Sequence, residues 1–515
     1  MLAADLILKN ANVITIDPEQ SAADLVAIKG DKIWLVAGNE SLESVRGAKT
    51  KIIDCQGKTV VPGFNDAHCH IFSFIRKLLS IDLSPSSVSS ISDIKAAIRH
   101  RVRNTPPGKW LTGTGFNEFY LDEKRCPTRW DIDEVAPHHP VVLAHRSLHA
   151  CVLNSLALSL AGITRETLEP PGGLIDRDLD TGEPSGLLFE MLGYIRVKVL
   201  PPLSEEELTD GITLANKHYL SQGITSLQEA TVVNGFSQWQ KFHQFKDTGK
   251  LKSRLSMMLG TEAVSQFQEV GLASGSGDSQ LRLGGVKIIL SETTGQLYPP
   301  QPELNQQVFN AHQAGFQLAI HAIEPSTVEA AITALEYAHS CLSQVGRRHR
   351  VEHCSECPPH LLERLAKLQA VVVTQPPFLY YSGERYLAEI PASRLRWLYR
   401  IKSLIDRGLI VAGSSDFPVV PDNPLVGIYT AVTRRAESGQ QLLPQECVSV
   451  SQALAMYTIN AAYASFEEDI KGSITPGKLA DIVLLSNDPI KSPPEQIKDI
   501  KVEMTIIDGK IVWEA

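Results

Sequence analysis

Apolar positions along this chain follow two rhythms. Near both ends they alternate with polar ones over short stretches: residues 5–15 (DLILKNANVIT), 24–29, 32–37 (KIWLVA), 51–54 and 58–61, and again 481–486, 500–507 and 510–513. Alternation at period two marks strands with one buried face, and Gly30-Asp31 and Asp508-Gly509 read as hairpin turns between them. The two ends are therefore expected to build one small β-sandwich from residues 1–59 and 471–515, with the rest of the chain inserted between its halves.

Between the ends the rhythm changes to near-continuous apolar runs: 60–68, 223–230, 253–260, 284–290, 316–323, 349–354, 370–376 and 409–416. Helix-like segments intervene at 204–221, 302–314, 325–341, 358–368 and 391–407. Strands buried on both faces and separated by amphipathic helices predict a parallel, helix-covered sheet, and eight of them predict an α/β fold of the (β/α)8 TIM barrel type over residues 60–470. An open doubly wound sheet would call for a Gly-rich phosphate loop that is not found here. The gap from 73 to 203 holds its own strands (109–115, 140–146), a helix (91–103) and the loop GGLIDRDLDTGEPSG. It is expected to form an inserted lobe after the first barrel strand, overhanging the mouth.

Composition narrows the function classes. With 515 residues the chain exceeds one ordinary domain, and 43% hydrophobic and 21% charged residues are ordinary for a globular protein. A net charge of −9 argues against nucleic acid or an anionic membrane as partner, and a homo-oligomer is left open. Eight unpatterned cysteines fit a reducing compartment, and no signal-peptide pattern or membrane-length apolar run is present, so a cytoplasmic location is expected.

The chemistry gathers at strand ends. The first run closes on His68-Cys69-His70, and residues two apart on a strand share a face, so the two imidazoles can grip one metal ion. A lone His-x-His pair also arises by chance in loops. Here, however, His321, His353 and Asp416 lie at the ends of the fifth, sixth and eighth runs, the end where barrel active sites are built. Lys287, inside the apolar run GGVKIIL, either snorkels to the mouth or has a special role, because lysine is almost never buried unpaired.

The order His-x-His, Lys, His, His, Asp across strands one, four, five, six and eight resembles the amidohydrolase superfamily. The stretches PGFNDAHCH (62–70), NSLAL (154–158), RHRVEH (348–353), GSSDFPV (413–419) and GSITPGKLADIVLL (472–485) resemble its amidohydrolase family 3 branch, which includes N-substituted formamide deformylases. That resemblance implies a metal-dependent hydrolase cleaving a C–N bond of an amide, formamide, lactam or related small molecule. It implies that His68, His70 and Asp416 bind one divalent ion, that His321 and His353 bind a second, and that Lys287, carbamylated by CO2, bridges them. One or two Zn2+ ions, or another divalent metal, are the expected cofactors, and Asp416 the general base. Within the superfamily a deaminase or an ester or organophosphate hydrolase is the alternative, although deaminases commonly lack the lysine. From another class, a metal-free scaffold homologue would be expected to have lost ligands.

The chain departs from the branch after Val286-Lys287, where IILSETTGQLYPP replaces an Asp-Gly, and at Leu148-His149 in the lobe. Arg146, His149 and Glu292 are therefore candidate substrate contacts, together with Tyr380 and Arg385 from the aromatic loop 375–386, which otherwise packs as a lid. Cys354-x-x-Cys357 lacks a second pair at zinc-knuckle spacing, and His349, four residues before His353, is expected on the same face as a supporting contact.

Overall fold

Eight short runs of buried residues become eight parallel strands: Phe64–Cys69 (β1), Ile224–Glu229 (β2), Arg254–Gly260 (β3), Leu281–Ile289 (β4), Leu318–Ala322 (β5), Arg350–His353 (β6), Val371–Thr374 (β7) and Val411–Gly413 (β8). The computed structural model describes residues 3–20 and 22–515. Neighbours in the sheet are neighbours in the chain, from β1 through to β8. The ends of the sheet meet where Asp416 N–H donates to the His68 carbonyl at 2.9 Å and His70 N–H to that of Phe417 at 2.8 Å. The expected α/β barrel is thus what forms, and its closing hydrogen bonds run through the histidine strand itself.

Helices follow the strands, and those at Pro325–Cys341, Pro359–Leu368, Pro377–Glu389 and Pro424–Thr433 all carry proline in their first turn. Proline there presets φ and lacks only an N–H that would have no helical partner. Two sequence expectations need correction in this region. Residues 375–386, read as a loop, are largely the helix Pro377–Glu389. The segment 391–407, read as one helix, is two short ones, Ala392–Leu395 and Ile401–Asp406, interrupted at Tyr399 by a left-handed φ of 45°. A helix at Phe236–Asp247 after β2 was not anticipated.

Strands from both ends of the chain mix in the remaining sheets. A four-stranded sheet runs Lys32–Ala37, Leu25–Lys29, Leu6–Lys9, Lys51–Asp54. A six-stranded sheet runs Lys510–Glu514, Val502–Ile507, Ile482–Leu485, Thr59–Pro62, Asn12–Ile14, Ala22–Ala23. Leu6, Leu8, Val26 and Ile28 from the first share a buried cluster with Val13, Val60, Ile482 and Ile506 from the second. Asp508 and Gly509, both at positive φ (53° and 69°), make the tight turn expected of their sequence.

The chain divides into two compact units: residues 1–70, 213–289 and 302–515 form the first, and 71–212 with 290–301 the second. The second unit has its own six-stranded sheet, with Ile81–Asp82, Leu111–Phe116 and Val141–His145 parallel and Ala150–Leu153, Pro184–Phe189 and Leu174–Arg177 antiparallel. Its helix Ile91–Arg103 starts at a reciprocal cap between Ser90 and Asp93. The stretch 172–186, expected as a loop, is mostly the last hairpin of this sheet: Ile175 and Leu188 pair across it and are buried together. Among the described residues no helix is long and apolar enough to cross a membrane.

Candidate metal centre

His68 lies on β1 and His70 just beyond its end; Lys287 lies on β4, His321 on β5, His353 closes β6, and Asp416 follows β8. All six belong to the first unit, and their side chains converge. His70 Nε2 lies 3.0 Å and His68 Nε2 3.5 Å from the same Asp416 oxygen, Oδ1. Lys287 Nζ is 3.4 Å from His68 Nε2. The ring centroid of His353 stands 5.0 Å from that of His68 and 4.3 Å from that of His321. Potential ligand atoms of His68, His70 and Asp416 all fall within 4.8 Å of one another, close enough to hold one ion.

Each of three histidines is held through its far nitrogen. His68 Nδ1 meets Glu352 Oε2 at 2.5 Å, His353 Nδ1 meets Gln375 Oε1 at 2.7 Å, and His70 Nδ1 meets the Thr231 hydroxyl at 2.8 Å. Glutamate and the amide oxygen can only accept, so His68 and His353 carry their proton on Nδ1 and turn the Nε2 lone pair inward. Thr231 can take either role. Glu352 is itself gripped by Arg350, whose Nε and Nη2 reach its two oxygens at 2.7 and 3.0 Å, while Nη1 donates to Gln228 Oε1 at 2.5 Å. This layer was not found in the sequence. Its signal was present, however: Arg350 and Glu352 are charged residues inside a buried strand, the same oddity that singled out Lys287.

Backbone strain aims two of the groups. If strict alternation held through β6, His353 would face away from Arg350 and Glu352. Its φ of 68°, followed by 48° at Cys354, breaks the alternation, and Asp416 sits at 59°. Such left-handed non-glycine residues are costly and collect where the surroundings over-determine them. The surroundings here include Asp66, whose Oδ1 accepts from the His68 and Ser415 amides (3.2 and 3.1 Å) and whose Oδ2 binds the Ser415 hydroxyl. Burial pushes the Asp66 carboxyl up to about 7, with those hydrogen bonds pulling the other way.

Protonation follows from burial. Burial and the Lys287 charge push His68 well down, and burial pushes His353 down to about 4 against the attraction of Asp416. Burial also works on Asp416, upward, but the hydrogen bond from His70 and the fields of the histidines hold it well below the usual carboxylate range. Burial lowers Lys287 to about 8 despite Glu352 and Asp416 nearby. With His68 and His353 neutral and Asp416 ionised, the centre presents imidazole nitrogens and one carboxylate, a donor set that suits a divalent cation.

The five residues expected at the substrate are spread differently. Tyr380 and Arg385 lie on the helix Pro377–Glu389, where Tyr380 packs on Tyr381 and Tyr429 and Arg385 reaches Glu389 and the Tyr386 ring. The residue of that helix that stacks near His353 is Phe378. Arg146, His149 and Glu292 belong to the second unit, where His149 Nδ1 pairs with both oxygens of Glu190 at 3.0 Å and Glu190 accepts from Thr293, next to Glu292. His349 is not the supporting contact expected. It precedes β6, at the opposite end from His353, and bonds His312 and the Leu318 amide instead.

Comparison with known proteins agrees in extent. The profile described as "Amidohydrolase family" matches residues 51–513. The chain is 30% identical to the putative amidohydrolase YtcJ of Bacillus subtilis strain 168, covering 98% of each chain. It is 29% identical to the N-substituted formamide deformylase of Arthrobacter pascens, covering 99% of this chain and 98% of that one. A crystal structure of an uncharacterized metal-dependent hydrolase from Pyrococcus horikoshii OT3 superposes with a TM-score of 0.76 over 95% of this chain and 99% of that one, at 23% identity.

Proposed function

This chain belongs to the amidohydrolase family, and from that premise we propose that it is a metal-dependent hydrolase that cleaves a C–N bond (amide, formamide or lactam) in a small molecule. The observation that carries the reading is the convergence of His68, His70, Lys287, His321, His353 and Asp416, with the far nitrogens of His68, His70 and His353 tied back. His68, His70 and Asp416 would hold one divalent ion, and His321 and His353 a second. Zinc is the metal that this nitrogen-rich set suits. A metal bound there supplies Lewis acidity toward the scissile carbonyl and a nucleophile drawn from water at neutral pH.

The protein's own groups do the rest. Asp416, anionic and hydrogen-bonded to His70, takes the proton of the attacking water on a carboxylate oxygen and returns it to the departing nitrogen, which leaves as a neutral amine. Lys287 as an ammonium cannot ligate and would compete for the His68 lone pair. With its amine lowered to about 8, a share is unprotonated near neutrality and can add CO2, giving a carbamate and releasing one proton. The carbamate offers two anionic oxygens where the ammonium offered only donors. The Glu352–Arg350 pair and Gln375 keep two imidazoles in the ligating tautomer.

The test is hydrolysis of a panel of N-substituted formamides, simple amides, lactams, esters and amidines by purified protein, before and after chelation and with zinc added back. Activity on a C–N substrate that chelation abolishes and zinc restores is expected. Turnover of esters or amidines alone would replace this reading with another hydrolase of the superfamily, and no zinc-dependent turnover with no bound metal would leave a scaffold.

A further inference from the structure

The second unit contains a cavity of about 170 Å³ that the chemistry above does not use. Arg76 from the helix Ile71–Leu79, Arg101 from Ile91–Arg103 and Arg196 from Leu192–Lys198 all line it. Arg196 Nη1 donates to the Ser73 hydroxyl at 3.1 Å and Arg101 Nη1 to the Leu79 carbonyl at 3.4 Å. Among the described residues, no carboxylate forms an ion pair with any of these three guanidiniums. The one acid on the wall, Glu207, is exposed, so water screens its field at Arg76 and its repulsion of an anion.

Such an arrangement is expensive for the fold alone. All three side chains are half-buried, and like charges that share a cavity repel. Burial and the neighbouring Arg76 push the Arg196 guanidinium down to about 10, and burial lowers Arg76 as well. Guanidinium forks match the oxygens of phosphate geometrically, and three of them suit a dianion better than a monoanion. A group the size of a phosphate fits within this space. We propose that Arg76, Arg101 and Arg196 form a binding site for a small oxyanion, either free phosphate or the phosphate end of a small metabolite.

The experiment is calorimetric titration and thermal unfolding of the full-length enzyme with inorganic phosphate and with glycerol phosphate, against sodium chloride at matched ionic strength. Saturable binding and a rise in melting temperature with phosphate but not chloride are expected, and tighter binding of glycerol phosphate would assign the site to a tethered phosphate. Arg196→Met and, separately, Arg101→Gln should each weaken binding about 10–100-fold, the loss of one charge-assisted hydrogen bond. In chloride Arg196→Met should melt no lower than the parent, since an uncompensated charge is gone. No saturable response beyond chloride would overturn the proposal, as would a response that persists in both variants or that chelation alone removes, which would place phosphate at the metal centre.

Discussion

A histidine becomes a ligand when its far nitrogen is spoken for, and in this protein that condition can be altered one residue at a time. Thr231 holds His70 through a single hydroxyl, and valine has nearly its shape. Thr231→Val should therefore lower zinc affinity about 10–100-fold while costing about 1 kcal/mol of stability; competition with a fluorescent chelator and urea unfolding measure the two. Equal loss of both would mean that Thr231 merely packs. Lys287→Met is the complementary change. The parent, given isotopically labelled bicarbonate, should show a carbamate carbonyl resonance that the variant lacks, and the variant should lose hydrolytic activity. The six converging residues were legible because each is a polar anomaly, five at or near strand ends and Lys287 inside an apolar strand. Glu352 carried the same kind of signal, a charge inside a buried strand, but Gln375 and Thr231 carried none, because nothing in the order of residues tells which nitrogen of an imidazole is tied back, or by what. The left-handed turn at His353 was equally hidden, since sequence patterning assumes an extended strand to its last residue.

At the scale of elements, the period of the apolar residues located all eight barrel strands, and the helix-like run 91–103 is the helix Ile91–Arg103. Patterning failed where composition misleads. The aromatics that follow Pro376 and Pro377 resemble a lid, yet Pro377 starts a helix, and the Gly- and Asp-rich 172–186 conceals a hairpin whose apolar face is only two residues deep. It failed again at His349, whose even spacing from His353 says nothing of which end of the strand it serves. There, the Leu318 amide donates to His349 Nδ1 at 3.1 Å, His349 Nε2–H donates to His312 Nδ1 at 2.8 Å, and His312 Nε2–H to the Leu342 carbonyl at 2.7 Å. This relay needs a neutral His349, and burial with His312 beside it pushes that imidazole down to about 3. A base lowered on folding takes up its proton first in the unfolded chain. Its contribution is thus whole above about 6.5 and is lost as pH falls from there toward 3, at about 1.4 kcal/mol per pH unit. His349→Gln should be less stable than the parent by about 1–3 kcal/mol at pH 7 through broken hydrogen bonds, with the gap closing as pH drops below 6. Urea midpoints at several pH values would show it, and a gap independent of pH would rule out the relay.

For the whole molecule the question is how strands from the two ends of the chain are fastened to the barrel between them, since all lie in one compact unit. Arg254, fully buried at the start of β3, answers it. Its Nε and Nη2 donate to Asp481 at 2.6 and 2.9 Å, immediately before the strand Ile482–Leu485, Nη2 reaches Asp508 in the terminal hairpin turn at 2.5 Å, and Nη1 bonds the Ser279 carbonyl at 2.9 Å. The paired carboxylates outweigh burial and hold the guanidinium charge firmly in place. A pair this deep need add little net stability, but removing one partner strands the other. Asp481→Asn should cost about 3–5 kcal/mol, and adding Arg254→Met should return most of that loss, because the carboxylate then left, Asp508, is partly exposed and keeps its hydrogen bond from Gln280. If the fastening is shared, far-UV circular dichroism, dominated by the barrel helices, and fluorescence of Trp34 and Trp513 on the terminal strands should report one coincident transition in a parent whose other four tryptophans are replaced by phenylalanine. In Asp481→Asn both signals should shift together. Loss of the terminal signal alone, with the helical one unmoved, would show instead that the sheets unfold by themselves and that Arg254 is only a local contact.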